Sequence, residues 1–292
     1  MPRDCPGRVP SGTRACGDIR RLRLLRHQGS LGDAGLWLAL LALLAVGIAA
    51  GIVDATTGGG GMLQIPALFA LAGPGAGAVA PIMALNKVSA AVGNAVSFTR
   101  FRRTEGVASP DGRTTAVALG AGLPGVIAGV WLASRLDTDQ FTPLLVASLV
   151  VVLAYVLLIQ PKVRVPERAG APTAGVLAGM AGGVIVLGFY DGLLGPATGS
   201  VLILVMQFVL GAGLRTGLAT AKLVQLSFNL TGAISYALVA MPALAAVVAL
   251  SAGNAVGGWL GTKIVARIDD RVLRLLVAAG VAGAIVLTVT TR

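Results

Sequence analysis

The chain has 292 residues, 55% of them hydrophobic and 12% charged, with a mean hydropathy of +0.85. That charge fraction is about half of what a soluble domain carries. Apolar runs of about 20 residues recur from Leu36 to Thr288, which excludes a disordered chain and a water-soluble enzyme built on one core. The two cysteines, Cys5 and Cys16, lie in the polar N-terminal segment, so the apolar body is no disulfide scaffold. A transmembrane β-barrel would alternate apolar and polar residues in stretches of about ten, and this chain does not. The expected fold is all-α, a polytopic membrane protein.

The net charge of +11 is uneven. Residues 1–30 hold seven Arg against two Asp. They read as part of a basic cytoplasmic tail, 1–35, rather than a simple signal peptide. Elsewhere the basic residues sit at the ends of apolar segments, as the positive-inside rule expects. Nucleic acid is therefore not an expected partner.

In chain order, Leu36–Asp54 is apolar and runs into a Gly-rich break ending at Gly61. Met62–Ala72 is apolar but too short to span a bilayer. Val79–Phe98 is a full span carrying Asn86, Lys87 and Asn94, and Arg100–Arg113 is a basic loop. Thr115–Ala133 and Phe141–Ile159 are two more spans, and Pro161–Pro172 is a Pro-rich basic linker at the midpoint. Thr173–Phe189 then leads into Tyr190, Asp191 and a second Gly break ending at Gly199. The short piece Ser200–Leu210 follows, then Leu214–Val239 with Lys222, Gln225 and Asn229, then Ala243–Gly261 and Val272–Thr288.

The order repeats. Gly51, Asp54 and Gly58 map onto Gly188, Asp191 and Gly195 at +137; Lys87 and Asn94 map onto Lys222 and Asn229 at +135; Arg135 and Asp137 map onto Arg267 and Asp269 at +132. The expected organisation is a tail (1–35), a first transmembrane repeat (36–160), a linker (161–172) and a second repeat (173–292). Each half holds four spans and one short broken segment, which gives eight to ten membrane segments. The charge count favours eight crossings with re-entrant short segments and parallel halves. The symmetry of broken-helix transporters favours ten and inverted halves.

Asp54, Lys87, Asp191 and Lys222 are ionisable groups inside apolar spans, where a charge costs about 2.5–3.5 kcal/mol or more. One reading gives the lysines to an anionic substrate and an aspartate to ion or proton coupling. The other makes them structural Asp–Lys pairs, with each Asp bonding backbone N–H groups at its break. The breaks at Gly58, Gly59, Gly60 and Gly61 and at Gly195, Thr198 and Gly199 open onto short helices whose N-termini would attract an anion. Asn94 and Asn229 follow their lysines by seven residues and share their helix faces, either as ligand contacts or as hydrogen bonds between helices; Asn86, within the same span as Lys87, is a further candidate contact. Gly125-x-x-x-Gly129 and Gly257-x-x-x-Gly261 read as helix packing. There is no metal-ligand set, catalytic set or cofactor fingerprint. The only histidine, His27, is in the tail.

The chain resembles the TauE/SafE family, the sulfite-exporter-like proteins also called the toluene-sulfonate uptake permease family. The resemblance rests on Gly51-Ile-Val-Asp54-Ala-Thr-Thr-Gly58-Gly-Gly-Gly61 with Pro66, on Asn86-Lys87, and on Gly188-Phe-Tyr-Asp191-Gly-Leu-Leu-Gly195-Pro-Ala-Thr-Gly199-Ser200 with Ala221-Lys222 and Asn229. It covers about residues 36–290. Ala197 stands where the family's usual motif has glycine. The resemblance implies transport of a small anion, such as a sulfur oxyanion or sulfonate, across the bacterial inner membrane. The expected partners are that anion and the lipid bilayer, with a homo-oligomer compatible and no cofactor. A secondary transporter is the first reading and a passive anion channel on the same scaffold the second.

Overall fold

The computed structural model describes residues 33–73, 79–103, 112–159, 172–211 and 214–265, with scattered positions between 278 and 290. The basic tail up to residue 32, most of the Arg100–Arg113 loop, nearly all of the linker, Arg267, Asp269 and most of Val272–Thr288 lie outside the described residues.

Nine α-helices follow one another among the described residues: α1 (Asp33–Thr57), α2 (Gly61–Ala72), α3 (Val79–Arg102), α4 (Gly112–Ala133), α5 (Thr138–Ala154), α6 (Ala174–Leu193), α7 (Thr198–Leu210), α8 (Leu214–Ala237) and α9 (Leu244–Val265). They match the apolar runs of the sequence closely. α5 passes into a π-helical turn, Tyr155–Ile159. Five helices are long and apolar enough to cross a membrane: Gly35–Thr57 within α1, together with α3, α4, α6 and α9. α8 has 24 residues but carries Lys222, Gln225 and Asn229. α2 and α7 have 12 and 13 residues, shorter than the roughly 20 of a full helical span. The chain is an all-helical, polytopic membrane protein.

Polarity is arranged for lipid rather than water. Val186, Ile234 and Val248 face outward, whereas Lys87, Lys222, Asn94 and Ser89 are fully buried. A polar side chain in hydrocarbon must find a partner inside the bundle, and this one distribution satisfies that requirement.

Small residues set the closest helix contacts. From Leu40 onward, α1 lies against α9: Gly47 meets Leu250 and Asn254, Gly51 meets Asn254 and Gly258, and Gly261 meets Ile52 and Ala55. The numbers rise together, so the two helices run in the same direction. α9 also runs with α3, since Gly93 meets Asn254, Gly258 meets Ser97, and the Arg100 guanidinium sits 5.4 Å from the Trp259 ring centre. α4 runs with α6 in the same way, through Gly122 and Gly188, Gly125 and Phe189, and Gly129 and Leu193. α3 and α8 run in opposite directions, because Asn94 meets Lys222 while Lys87 meets Gly232.

Two consequences matter for the site. α1 and α3 are parallel, each running with α9. The first long helix of each half also packs on the third long helix of the other half, α1 on α9 and α6 on α4. The halves of the chain are interleaved rather than side by side.

Candidate functional site

The first break is built by α1 running on through Asp54 to Thr57, one turn further than the apolar run suggested. Thr56 and Thr57 hydroxyls donate back to Val53 O at 3.0 and 2.9 Å, which closes the last turn. Gly58, at φ +76°, turns the chain, and its N–H donates to Asp54 O at 2.8 Å. The second break copies this plan. α6 runs through Asp191 to Leu193, and the Leu194 and Gly195 N–H groups donate to Tyr190 O at 2.8 and 3.1 Å. Gly195 has φ +90°. Ala197, the residue before α7, has φ +60°, the one non-glycine with positive φ among the described residues. The breaks meet: Ser200 Oγ donates to Thr57 O at 2.5 Å, and Gly58 and Gly199 are in backbone contact.

Both lysines are buried and each is paired with the aspartate of the other half. Lys222 Nζ is 2.8 Å from Asp54 Oδ2, and Lys87 Nζ is 2.6 Å from Asp191 Oδ2. Lys222 also donates to Asn94 Oδ1 at 3.1 Å and Gln225 Oε1 at 2.9 Å. Lys87 also donates to the main-chain oxygen of Asp191 at 2.6 Å. Asp54 further accepts from Gln225 Nε2 at 3.2 Å and from the Gly60 N–H at 3.4 Å. The backbone contact expected of Asp54 is thus present but long, and the lysine takes the stronger position.

A second polar set ties α2, α3 and α9. Gln64 Nε2 donates to Asn86 Oδ1 at 2.9 Å and Ser89 Oγ at 2.7 Å, and Asn254 Nδ2 donates to Gln64 Oε1 at 2.7 Å. Buried networks of this kind hold only if each member finds its partner.

Between the breaks lies a cavity of about 20 Å³. That is room for about one water. Its walls are Asp54, Gly60, Gly61, Gln64, Asn86, Lys87, Ala90, Asp191, Gly195, Gln225, Asn229 and Asn254. The two Asp and the two paired Lys leave its surroundings without net charge. Of the residues singled out in the sequence, Lys87, Asn86, Asn229, Gly60, Gly61, Gly195, Asp54 and Asp191 line it. Lys222 and Asn94 stand behind Asp54 instead. Thr198 turns its hydroxyl onto Gly195 O at 3.1 Å. Gly58 and Gly199 form the contact between the breaks, and the space beside Gly59 is taken by the Met62 side chain. Gln64 and Asn254 line the cavity without having been singled out, and Gln225, noted in its span but not assigned to the site, lines it too. Their signal in the sequence was a lone amide within an apolar helix, which reads equally as packing.

The family described as sulfite exporter TauE/SafE matches residues 43–288. A probable membrane transporter protein of Haemophilus influenzae is 31% identical over 246 residues, covering 82% of this chain and 90% of that one. The probable membrane transporter protein YfcA of Escherichia coli K12 is 29% identical over 240 residues, covering 82% and 86%. No solved structure matches the chain. With the match running from α1 past α9, and with buried charge gathered at two helix breaks inside an apolar bundle, the chain belongs to the TauE/SafE family of membrane transporters.

Proposed function

We propose that the chain is a secondary transporter carrying a small anion across the bacterial inner membrane through the cavity between the two helix breaks. The observation that carries the reading is the meeting of the buried Lys87 ammonium, the glycine-lined opening of α2 and several side-chain amides at one cavity inside the bundle. Helix openings and ammonium groups both favour negative charge. The family's description names a sulfite exporter, which supports a sulfur oxyanion or sulfonate as the anion. A cavity of about 20 Å³ is too small for such an anion. In this reading the site widens when the anion binds.

We also propose ten membrane segments arranged as inverted repeats, 36–160 and 173–292. α8 opposes its counterpart α3 in direction, and α1 and α3 are parallel. Ten segments place the connections 100–113, 161–172 and 263–274 on one face, where the positive-inside rule puts them in the cytoplasm. This arrangement separates them from the basic tail, with which the charge count had grouped them. The reading assigns no catalysis to the chain.

The test is a thermal-stability screen of purified protein against sulfite, sulfate, thiosulfate, methanesulfonate and small carboxylates. An anion at 100 times its dissociation constant stabilises the folded state by about 2.7 kcal/mol. One anion class is expected to stabilise, with the effect lost in Lys87→Ala. Absence of any shift across the panel would sink the anion reading.

A further inference from the structure

Resting on anion transport as proposed above, we infer that the two Asp–Lys pairs have diverged. Lys87–Asp191 opens, Asp191 taking up a proton as the anion replaces it on Lys87, while Lys222–Asp54 stays closed, so that each monoanion moves with one proton.

The argument is a count of hydrogen-bond positions. An ammonium has three N–H donors. Those of Lys222 meet three separate acceptors, Asp54 Oδ2, Asn94 Oδ1 and Gln225 Oε1. Asp54 accepts at both oxygens, from Lys222, Gln225 and Gly60. That pair is saturated, and Lys222 does not line the cavity. Lys87 is different. It meets only Asp191, through Oδ2 and the main-chain oxygen, so one N–H is uncommitted among the described residues. Asp191 Oδ1 likewise receives no hydrogen bond there. Both residues line the cavity. The spare donor and the spare carboxylate oxygen therefore belong to the same pair.

Charge decides what must accompany the anion. An anion reaching Lys87 beside an ionised Asp191 would leave two negative groups on one ammonium, with Asp54 on the same cavity. In a buried site such an uncompensated charge is strongly unfavourable. A proton on Asp191 Oδ1 removes the conflict. One O–H bond forms, the ammonium passes from carboxylate to anion, and the surroundings stay neutral. On release the proton leaves and Asp191 returns to Lys87. The groups about Asp191 are Lys87 from α3, Tyr236 from α8, Tyr190 from α6 and, across the cavity, Asp54 from α1; Lys222 lies beyond Asp54 and is held by it. The two tyrosine hydroxyls donate to Gly192 O at 2.6 Å and Pro196 O at 2.8 Å. Tyrosine is neutral at pH 7, and the one histidine of the chain is His27. The proton carrier is thus a carboxylate, and Asp191 is the one with a free oxygen.

The experiment uses proteoliposomes of the full chain with the membrane potential clamped at zero. The probe is labelled methanesulfonate, a permanent monoanion that cannot carry the proton itself. Wild type is expected to exchange label and, with the outside one pH unit more acidic, to accumulate it about tenfold, the ratio that one proton per anion allows. Asp191→Asn keeps an oxygen for Lys87; it should exchange label with an accumulation ratio near one. Asp191→Glu should restore accumulation. Exchange that ignores the pH gradient in wild type would overturn the coupling, and that arm needs no variant to fold. Wild-type-like accumulation by Asp191→Asn would overturn the assignment to Asp191. Absence of any exchange would instead overturn the sulfonate reading on which the proposal rests.

Discussion

Each buried lysine takes its counter-charge from a residue more than 100 positions away in the chain, so the pairs are invisible to any local reading. The sequence made Asp54, Lys87, Asp191 and Lys222 conspicuous because ionisable groups are costly in a span. It left the partners open, and the structure crosses them between the halves. Removing one member of such a pair leaves a buried charge uncompensated, at a cost of about 3–5 kcal/mol. Lys222→Met is expected to lower stability by that order, and Lys222→Met with Asp54→Asn to recover part of it. Thermal unfolding in detergent reads both; an unchanged midpoint in the single variant would count against a structural duty for Lys222. Ala197 offers the opposite case. Its φ of +60° costs an L-residue about 1–2 kcal/mol. Ala197→Gly should therefore raise stability by about 1 kcal/mol, partly offset by the greater freedom of unfolded glycine. A fall in the unfolding midpoint would refute the strain argument.

At the scale of helices, the boundaries were largely legible. Met62–Ala72 and Ser200–Leu210 were read as short apolar pieces and are the helices Gly61–Ala72 and Thr198–Leu210. The glycine pairs at 125 and 129 and at 257 and 261 were read as packing faces, but not against what. Gly125 backs onto the main chain of Ile185 and Phe189, and Gly257 onto Ile48 and Gly51. A Cβ at either position would strike main chain, which cannot turn aside as a flexible side chain does. Gly125→Leu is expected to cost at least the 1–3 kcal/mol typical of overpacking. Gly179→Ala on α6, where nothing lies within 4 Å, should be tolerated and is the control. Comparable stability of the two variants would remove the case for close α4–α6 contact. The amides Gln64, Gln225 and Asn254 were harder to read. A lone amide becomes a cavity wall only when neighbouring helices turn it inward.

For the whole molecule, helix directions separate the two topologies. Under ten segments, residues 103 and 263 lie on one face of the membrane; under eight they lie on opposite faces. In a background of Cys5→Ser and Cys16→Ser, single Arg103→Cys and Lys263→Cys variants should react with a membrane-impermeant maleimide from the same side. Labelling from opposite sides would refute the ten-segment proposal. The interleaving of α1 with α9 and of α6 with α4 adds a constraint on motion. A rigid body made of one sequence half would have to break glycine-lined contacts at both places.

The residues by themselves determined the membrane setting, the helical class, the helix positions and the family resemblance. These follow from hydropathy, segment length and local motifs, and each needs no more than a short window of chain. Only the tertiary structure decided which aspartate faces which lysine, which helices run parallel, and which lysine keeps a spare donor at the cavity. Those are relations between segments far apart in the chain, more than 100 residues in the case of the ion pairs. In an apolar bundle they are settled by close glycine contacts and by the need of every buried charge for a partner, conditions that several arrangements of the same helices could meet in part.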